Sequence, residues 1–273
     1  MTHGLAGADG RAEETASMGL SHDPLLQPGD PPPVAIANPQ GSSAFLLVCD
    51  HAGRAVPRRL GDLGVRPAEW DRHIAWDIGA AGVCAALWPL LDAVCITQAY
   101  SRLVIDCNRR PGHPTSITPE SDGTAVAGNL GLSEAGRAAR VAEIFTPYHA
   151  AIAAELDRRA DMGLPAVVIA MHSFTPVFGG RARPWEAGVL FNRSPALSLA
   201  LAAALRAEGF EVGENEPYRL SDESDYTVPV HAEARLLPYV ELEVRQDLIA
   251  DLAGQMAWAE RLGRLLPAAL AAI

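Results

Sequence analysis

Two short, continuously apolar runs in this chain each stop at a histidine: Ala166-Val-Val-Ile-Ala-Met171 runs into His172, and Phe45-Leu-Leu-Val-Cys49 runs into Asp50-His51. Unbroken apolar runs rich in β-branched residues are expected as buried strands of an α/β sheet. Such sheets carry their chemistry just beyond the carboxyl ends of the strands. Two strands that each deliver a histidine to that edge point to a metal site, because imidazole is a preferred zinc ligand.

The rest of the chain has the same rhythm. Strands are expected near residues 34–38, 44–49, 93–98, 102–107, 166–171, 188–192 and 237–245, and helices near 67–92, 133–162, 195–208 and 246–271. Ser133-Glu134 before an alanine-rich amphipathic stretch has the form of a capped helix start. Trp88-Pro89 marks a kink or a helix end. This alternation predicts a single α/β domain over residues 33–273, with a mainly parallel, mixed sheet flanked by helices on both faces. Residues 1–32, rich in Gly, Ala, Ser and Pro, are expected as a disordered tail. Two polar connections, 110–132 and 212–236, have the length of lids or binding loops.

Composition removes several classes of function. The net charge is −11 and no basic block is present, which argues against a nucleic-acid partner. No apolar stretch has the length of a membrane span, and Met1 to Asp30 lacks the basic and apolar regions of a secretory signal. The four cysteines (Cys49, Cys84, Cys95, Cys107) follow no CxxC spacing and are expected as buried free thiols. Together these features predict a soluble cytoplasmic protein, with oligomeric state left open.

Several residues beyond the two histidines carry chemical potential. Asp77, in His73-Ile-Ala-Trp-Asp77, stands before an apolar, small-residue helix. It either caps that helix or completes a two-histidine, one-carboxylate site; His73, one turn earlier, is its competitor. Arg102 and Asn108-Arg109-Arg110 bracket the run Leu103-Val-Ile-Asp-Cys107. They are either solvated strand ends or a cluster that seats an anion, since guanidinium grips carboxylate in two-pronged fashion. In Tyr239-Val-Glu-Leu-Glu-Val-Arg245 the period of two places Glu241, Glu243 and Arg245 on one face. On an edge strand they face solvent; inside the sheet they supply a general base and a charge partner. His231 ends the second long connection, where it either closes over the pocket or lies on the surface.

Taken in order, these pieces resemble the zinc carboxypeptidase-type hydrolase fold, of the phosphorylase/hydrolase-like class. That pattern has a histidine after an early strand, an Asn-Arg pair, a strand ending in His-Ser, and a late strand with Glu-x-Arg. Here those positions are His51, Asn108-Arg109, His172-Ser173 and Glu243-Val-Arg245. Within that group the chain is more similar to the N-formylglutamate amidohydrolase family. Val48-Cys-Asp-His-Ala-Gly-Arg-Ala-Val-Pro57 resembles its histidine-turn-proline opening, and Ser101-Arg-Leu-Val-Ile-Asp-Cys-Asn-Arg109 its Ser-Arg…Asp-x-Asn-Arg segment. Met171-His-Ser173 resembles its second histidine site, and Glu241-Leu-Glu-Val-Arg245 its closing strand.

The resemblance implies one zinc ion, or another divalent metal, held by His51 and His172, with Glu243 as general base. It also implies a small anionic substrate held by Arg102, Asn108, Arg109, Ser173, His231 and Arg245. In the carboxypeptidase pattern a glutamate three residues after the first histidine is the other ligand; here that position is Arg54, which cannot ligate a cation. Asp77 is the expected replacement, with Asp50 as the alternative. The implied reaction is hydrolysis of N-formyl-L-glutamate to formate and L-glutamate. The competing expectations are a zinc carboxypeptidase or other N-acyl amino acid deacylase on the same fold, and a non-catalytic anion-binding protein.

Overall fold

The computed structural model describes Met1 and residues 23–273, so residues 2–22 of the tail expected over 1–32 lie outside the described residues, while 23–32 depart from that expectation. From residue 23 the chain lies against the domain. Leu25 is buried, and the Leu25 and Leu26 N–H groups donate to the Glu143 carboxylate at 2.7 and 2.9 Å.

The chain opens with β1 (Val34–Ala37) and β2 (Phe45–Cys49), then helix α1 (Ala80–Leu91) and β3 (Val94–Gln98). A hairpin of β4 (Glu120–Ser121) and β5 (Thr124–Ala125) precedes α2 (Glu134–Arg140) and α3 (Thr146–Asp161), which are joined by a π turn. Next come β6 (Val167–Phe174), the hairpin β7 (Val177–Phe178) and β8 (Arg181–Ala182), and β9 (Ala187–Leu190). The chain closes with α4 (Ala196–Ala207), β10 (Val212–Glu214), β11 (Tyr239–Arg245) and α5 (Leu252–Ala271). Seven strands form one sheet in the order β1-β3-β2-β6-β11-β9-β10. The inner strands β3, β2, β6 and β11 are parallel, whereas β1 runs antiparallel to β3 and β9 antiparallel to β11. This is the mixed, mainly parallel sheet that the alternating pattern predicts.

Period-two alternation divides the core between the two faces. Leu47, Ile169 and Leu242 pack beneath α1, α4 and α5; Leu46, Val48, Val168 and Ala170 face α3 and the loop after β3. Each leucine, isoleucine or valine among them, removed fully from water, contributes about 1.5–3 kcal/mol. Val168, Ala170 and His172 share a face, as do Tyr239, Glu241 and Glu243 on the neighbouring strand. The register pairs Glu243 with His172. The core pattern of β6 and β11 therefore sets a carboxyl beside an imidazole at the sheet's carboxyl edge. All four cysteines are buried and free. Among the described residues no helix is long and apolar enough to cross a membrane.

Three expected elements differ. The run 102–107 is not a strand but a buried loop. Both edges of β3 are already taken, by β1 and β2. The loop's backbone groups find other partners: Val104 O accepts from Arg140 Nη1 at 2.7 Å, Leu103 O from Asn129 Nδ2 at 2.9 Å, and Asp106 N–H donates to Ser116 O at 2.8 Å. The helix expected over 67–92 breaks into a short 3-10 turn, Pro67–Asp71, and α1, which leaves Asp77 in the turn between them. The last helix begins at Leu252, where Asp251 caps it by accepting from Gly254 N–H at 2.8 Å. Ser133 does cap α2, accepting from Gly136 N–H at 3.1 Å. The two long connections are not structureless, because they hold the β4–β5 hairpin, strand β10 and the helical turns over 228–235.

Candidate active site

His51, Asp77 and His172 meet at the carboxyl edge of β2 and β6. All three are buried, and one donor atom from each lies within 4.8 Å of the others. His51 follows β2 and His172 lies on β6, so the sheet fixes both. Asp77 arrives from the turn before α1, where its N–H donates to His51 O at 3.0 Å. Gly79 allows that turn: its φ is +83°, and a Cβ there would stand 2.1 Å from Ile249 O. Gly53 does the same for the turn after His51, since a Cβ would fall 1.9 Å from Ala99 O.

The two imidazoles are oriented alike. Nδ1 of His51 and of His172 lie 3.3 and 2.9 Å from the same Asp77 Oδ2. Their Nε2 atoms face outward to other carboxylates. His51 Nε2 lies 2.7 Å from Asp106 Oδ1, and His172 Nε2 lies 3.2 Å from Asp50 Oδ2, the latter at an angle too oblique for a formed hydrogen bond. A carboxylate behind each histidine fixes the ring and its tautomer, leaving the inner nitrogen free to ligate. Zinc–donor distances of roughly 2.0–2.1 Å in a tetrahedral site place donors about 3.3 Å apart. The two Nδ1–Oδ2 spacings, 3.3 and 2.9 Å, are close to that value. Arg102 braces the arrangement, with Nη1 3.4 Å from Asp77 Oδ1 and Nη2 2.7 Å from Asp106 Oδ2.

The electrostatics agree with a site built around positive charge. Burial opposes ionisation of Asp77, yet the two histidines hold its carboxyl far below the usual range. Burial likewise opposes ionisation of Asp50, but the adjacent His172 keeps it down at about 2. Burial disfavours protonation of His51, but Asp106 and Asp77 prevail and raise it. Glu243 behaves oppositely: burial pushes its carboxyl up to about 7, and its Oε2 has no partner. Glu241, beside it on β11, is likewise raised well above the usual carboxylate range, by burial and by the nearby Asp225.

These groups border a cavity of about 350 Å³, within the range of a small-molecule site. His51, Asp77, His172, Ser173 and Glu243 are joined there by Arg102, Asn108 and Arg109. Asn108 Oδ1 accepts from the Tyr226 and Thr227 N–H groups, both at 3.0 Å. Arg109 Nη1 donates to Asn108 O at 2.8 Å and to Asp225 at 3.1 Å. His73 also lines the cavity, away from the donor cluster. Arg54 points outward, pairing with Asp71 and lying 5.3 Å from the Trp76 ring centroid. Its departure from the carboxypeptidase pattern thus leaves the donor cluster untouched.

Two expected site residues lie elsewhere. Arg245, at the end of β11, donates to Asp247 and to Trp185 O. His231 sits on a helical turn packed against α3, its Nε2 3.0 Å from His149 Nδ1 and its ring stacked on that ring. His149 Nε2 donates to Cys107 O at 2.8 Å, and the Nδ1···Nε2 contact between the rings is lost when both are protonated, since each nitrogen then carries a hydrogen. Burial holds His149 below the ordinary value of 6.5 and His231 down at about 3. Below the ordinary value the unfolded chain binds protons that the folded pair refuses, so stability falls with acid. The thermal midpoint is expected to be level above about pH 6.5 with respect to this pair and to fall as pH drops toward 3, less steeply in His231→Gln. Parallel acid limbs for the two proteins would contradict this.

The outer carboxylates Asp50 and Asp106 were not expected in these roles. A carboxylate inside the otherwise apolar run 103–107 was the signal for Asp106.

Comparison with known proteins bears on the same residues. The sequence profile of the N-formylglutamate amidohydrolase family matches residues 43–250, a span that holds every member of the cluster. The chain belongs to that family. The crystal structure of gene product Atu2144 from Agrobacterium tumefaciens is similar to it, at 34% identity and a TM-score of 0.88, over 91% of this chain and 98% of that one. An N-formylglutamate amidohydrolase from Ralstonia eutropha JMP134 shares the fold at 18% identity and a TM-score of 0.64, over 88% of this chain and 98% of that one. No curated protein matches the sequence.

Proposed function

We propose that this family member is a zinc-dependent amidohydrolase acting on N-acylated acidic amino acids, foremost N-formyl-L-glutamate, which it cleaves to formate and L-glutamate. The observation that carries the reading is the pair of histidines, each backed by a carboxylate and each turned by Nδ1 toward Asp77, with the unpartnered Glu243 carboxyl beside them. His51, Asp77 and His172 would hold the ion. When bound, a divalent metal supplies Lewis acidity and a water acidic enough to react near neutral pH.

The chain's own residues supply the rest. Glu243 takes the water's proton at Oε2 and returns it to the leaving nitrogen. Its raised carboxyl suits both halves of that transfer near neutral pH. Asn108 and Arg109 receive the α-carboxylate, which orients the scissile amide toward Glu243. Arg102 adds positive charge on the carbonyl side while bracing Asp77 and Asp106. Ser173 ties the end of β6 to the turn before α1 through its hydroxyl, which donates to Ile78 O at 2.8 Å.

The test is chelation followed by reconstitution, with N-formyl-, N-acetyl- and N-succinyl-amino acids and short peptides as substrates. Chelation is expected to abolish amide hydrolysis and zinc to restore it, with N-formylglutamate turned over best. Preferred cleavage of peptides would instead favour the carboxypeptidase reading. Full activity in metal-free protein would refute the metal-dependent one.

A further inference from the structure

The two arginines inside the cavity are already matched to carboxylates of the chain. Arg102 spans Asp77 and Asp106, and Arg109 pairs with Asp225. A substrate with two carboxylates therefore meets less free positive charge there than the residue types suggest. Arg183, just after β8, is different. Among the described residues it forms no ion pair, although it lies against three rings that line the cavity. Its guanidinium carbon stands 4.8 Å from the ring centroids of both Phe178 and Tyr218 and 5.8 Å from that of Phe174, and all three rings line the cavity. Only Nη1 is engaged: it donates to the Tyr218 hydroxyl at 3.0 Å and to Thr175 O at 3.4 Å, both neutral acceptors. Nε and Nη2 make no hydrogen bond among the described residues. The β7–β8 hairpin fixes the residue's place, since Arg183 N–H donates to Pro176 O at 2.8 Å.

An unpaired guanidinium that aromatic faces hold flat is a preorganised carboxylate receptor, with little rotamer freedom left to lose. Nearby, His73 Nε2 is buried without a hydrogen-bond partner, with Asp122 3.6 Å away, and the His73 ring meets Phe178 edge-on at 6.2 Å. His73 thus places a second polar atom beside Phe178, the ring it shares with Arg183. We infer that Arg183 is the specificity-determining residue that receives the substrate's side-chain carboxylate, leaving Asn108 and Arg109 to take the α-carboxylate. The inference rests on the amidohydrolase reading above and extends it from reaction class to the choice of acyl-amino acid. The β7–β8 hairpin thereby becomes the element that selects acidic over neutral side chains.

The test compares kcat/KM for N-formylglutamate and N-formylglutamine in wild type and Arg183→Gln. Both substrates are measured on one preparation, so the ratio is independent of the fraction of folded protein. Wild type is expected to prefer N-formylglutamate, and the substitution to reduce that preference by about 10- to 100-fold, as expected for loss of a charge-assisted pair. An unchanged ratio, or a wild type with no preference, overturns the inference. A wild type that hydrolyses neither compound refutes the amidohydrolase reading instead. Calorimetric binding of the same two ligands then judges Arg183: a preference lost in Arg183→Gln supports it, and a preference kept, or absent from wild type, overturns it.

Discussion

Glu243→Gln is expected to lower kcat by about 10²- to 10⁴-fold while leaving the fold and KM nearly unchanged. The glutamine amide fills the same space on β11, so the strand's pairing with β6 and β9 survives. What disappears is the ability to accept a proton at Oε2. That atom is buried and has no partner in the protein, so no neighbouring donor or acceptor inherits its task. Glu241 is the closest substitute by position, but its register partner is Ala170 rather than His172. Steady-state kinetics with a thermal midpoint as a fold control separates loss of chemistry from loss of structure. A near-normal kcat would remove Glu243 from the role of base.

Asp77→Asn is expected to have the second large effect, this time on metal affinity. The amide is isosteric but carries no charge, and its nitrogen would turn a donor toward two imidazoles. Both histidines lose the acceptor that now gathers their Nδ1 atoms, and Arg102 keeps only Asp106. Loss of a partner behind a ligand typically costs 10- to 100-fold in metal affinity, and loss of the ligand itself should cost more. Asp106→Asn is the internal standard, with a drop inside that range because it stands behind His51 and shares Arg102 with Asp77 rather than facing the ion itself. Competition titration against a chromophoric chelator reads both constants. Equal affinities for Asp77→Asn and wild type would move the third donor elsewhere.

How much of this was legible depended on how local its cause was. The histidines at residues 51 and 172 stood out because apolar strands that end on imidazole are hard to explain by packing, and both lie at the expected sheet edge. Asp77 was legible for a related reason, being a carboxylate just ahead of an apolar helix. The match of Glu243 to His172 followed once β11 was interior to the sheet, because a period of two leaves no other face for it. Asp50 and Asp106 were not legible as histidine partners. Asp106 comes from a loop whose apolar run mimics a strand, and only the occupied edges of β3 reveal that it is none; Asp50, just after β2, meets His172 only once β2 and β6 are neighbours. His231 misled for a similar reason: its neighbours in sequence say nothing of His149, which lies 82 residues away and captures it. Arg183 carried no sequence signal at all, since its meaning lies in three rings from β6, β7 and the loop after β10.

The central claim is that His51, Asp77 and His172 hold one divalent ion on which hydrolysis depends. Elemental analysis of the purified protein, paired with N-formylglutamate hydrolysis on the same sample, tests it most directly. About one equivalent of divalent metal per chain is predicted, falling with activity in proportion on chelation and returning with zinc. Hydrolysis at full rate by a sample with no bound metal would contradict it.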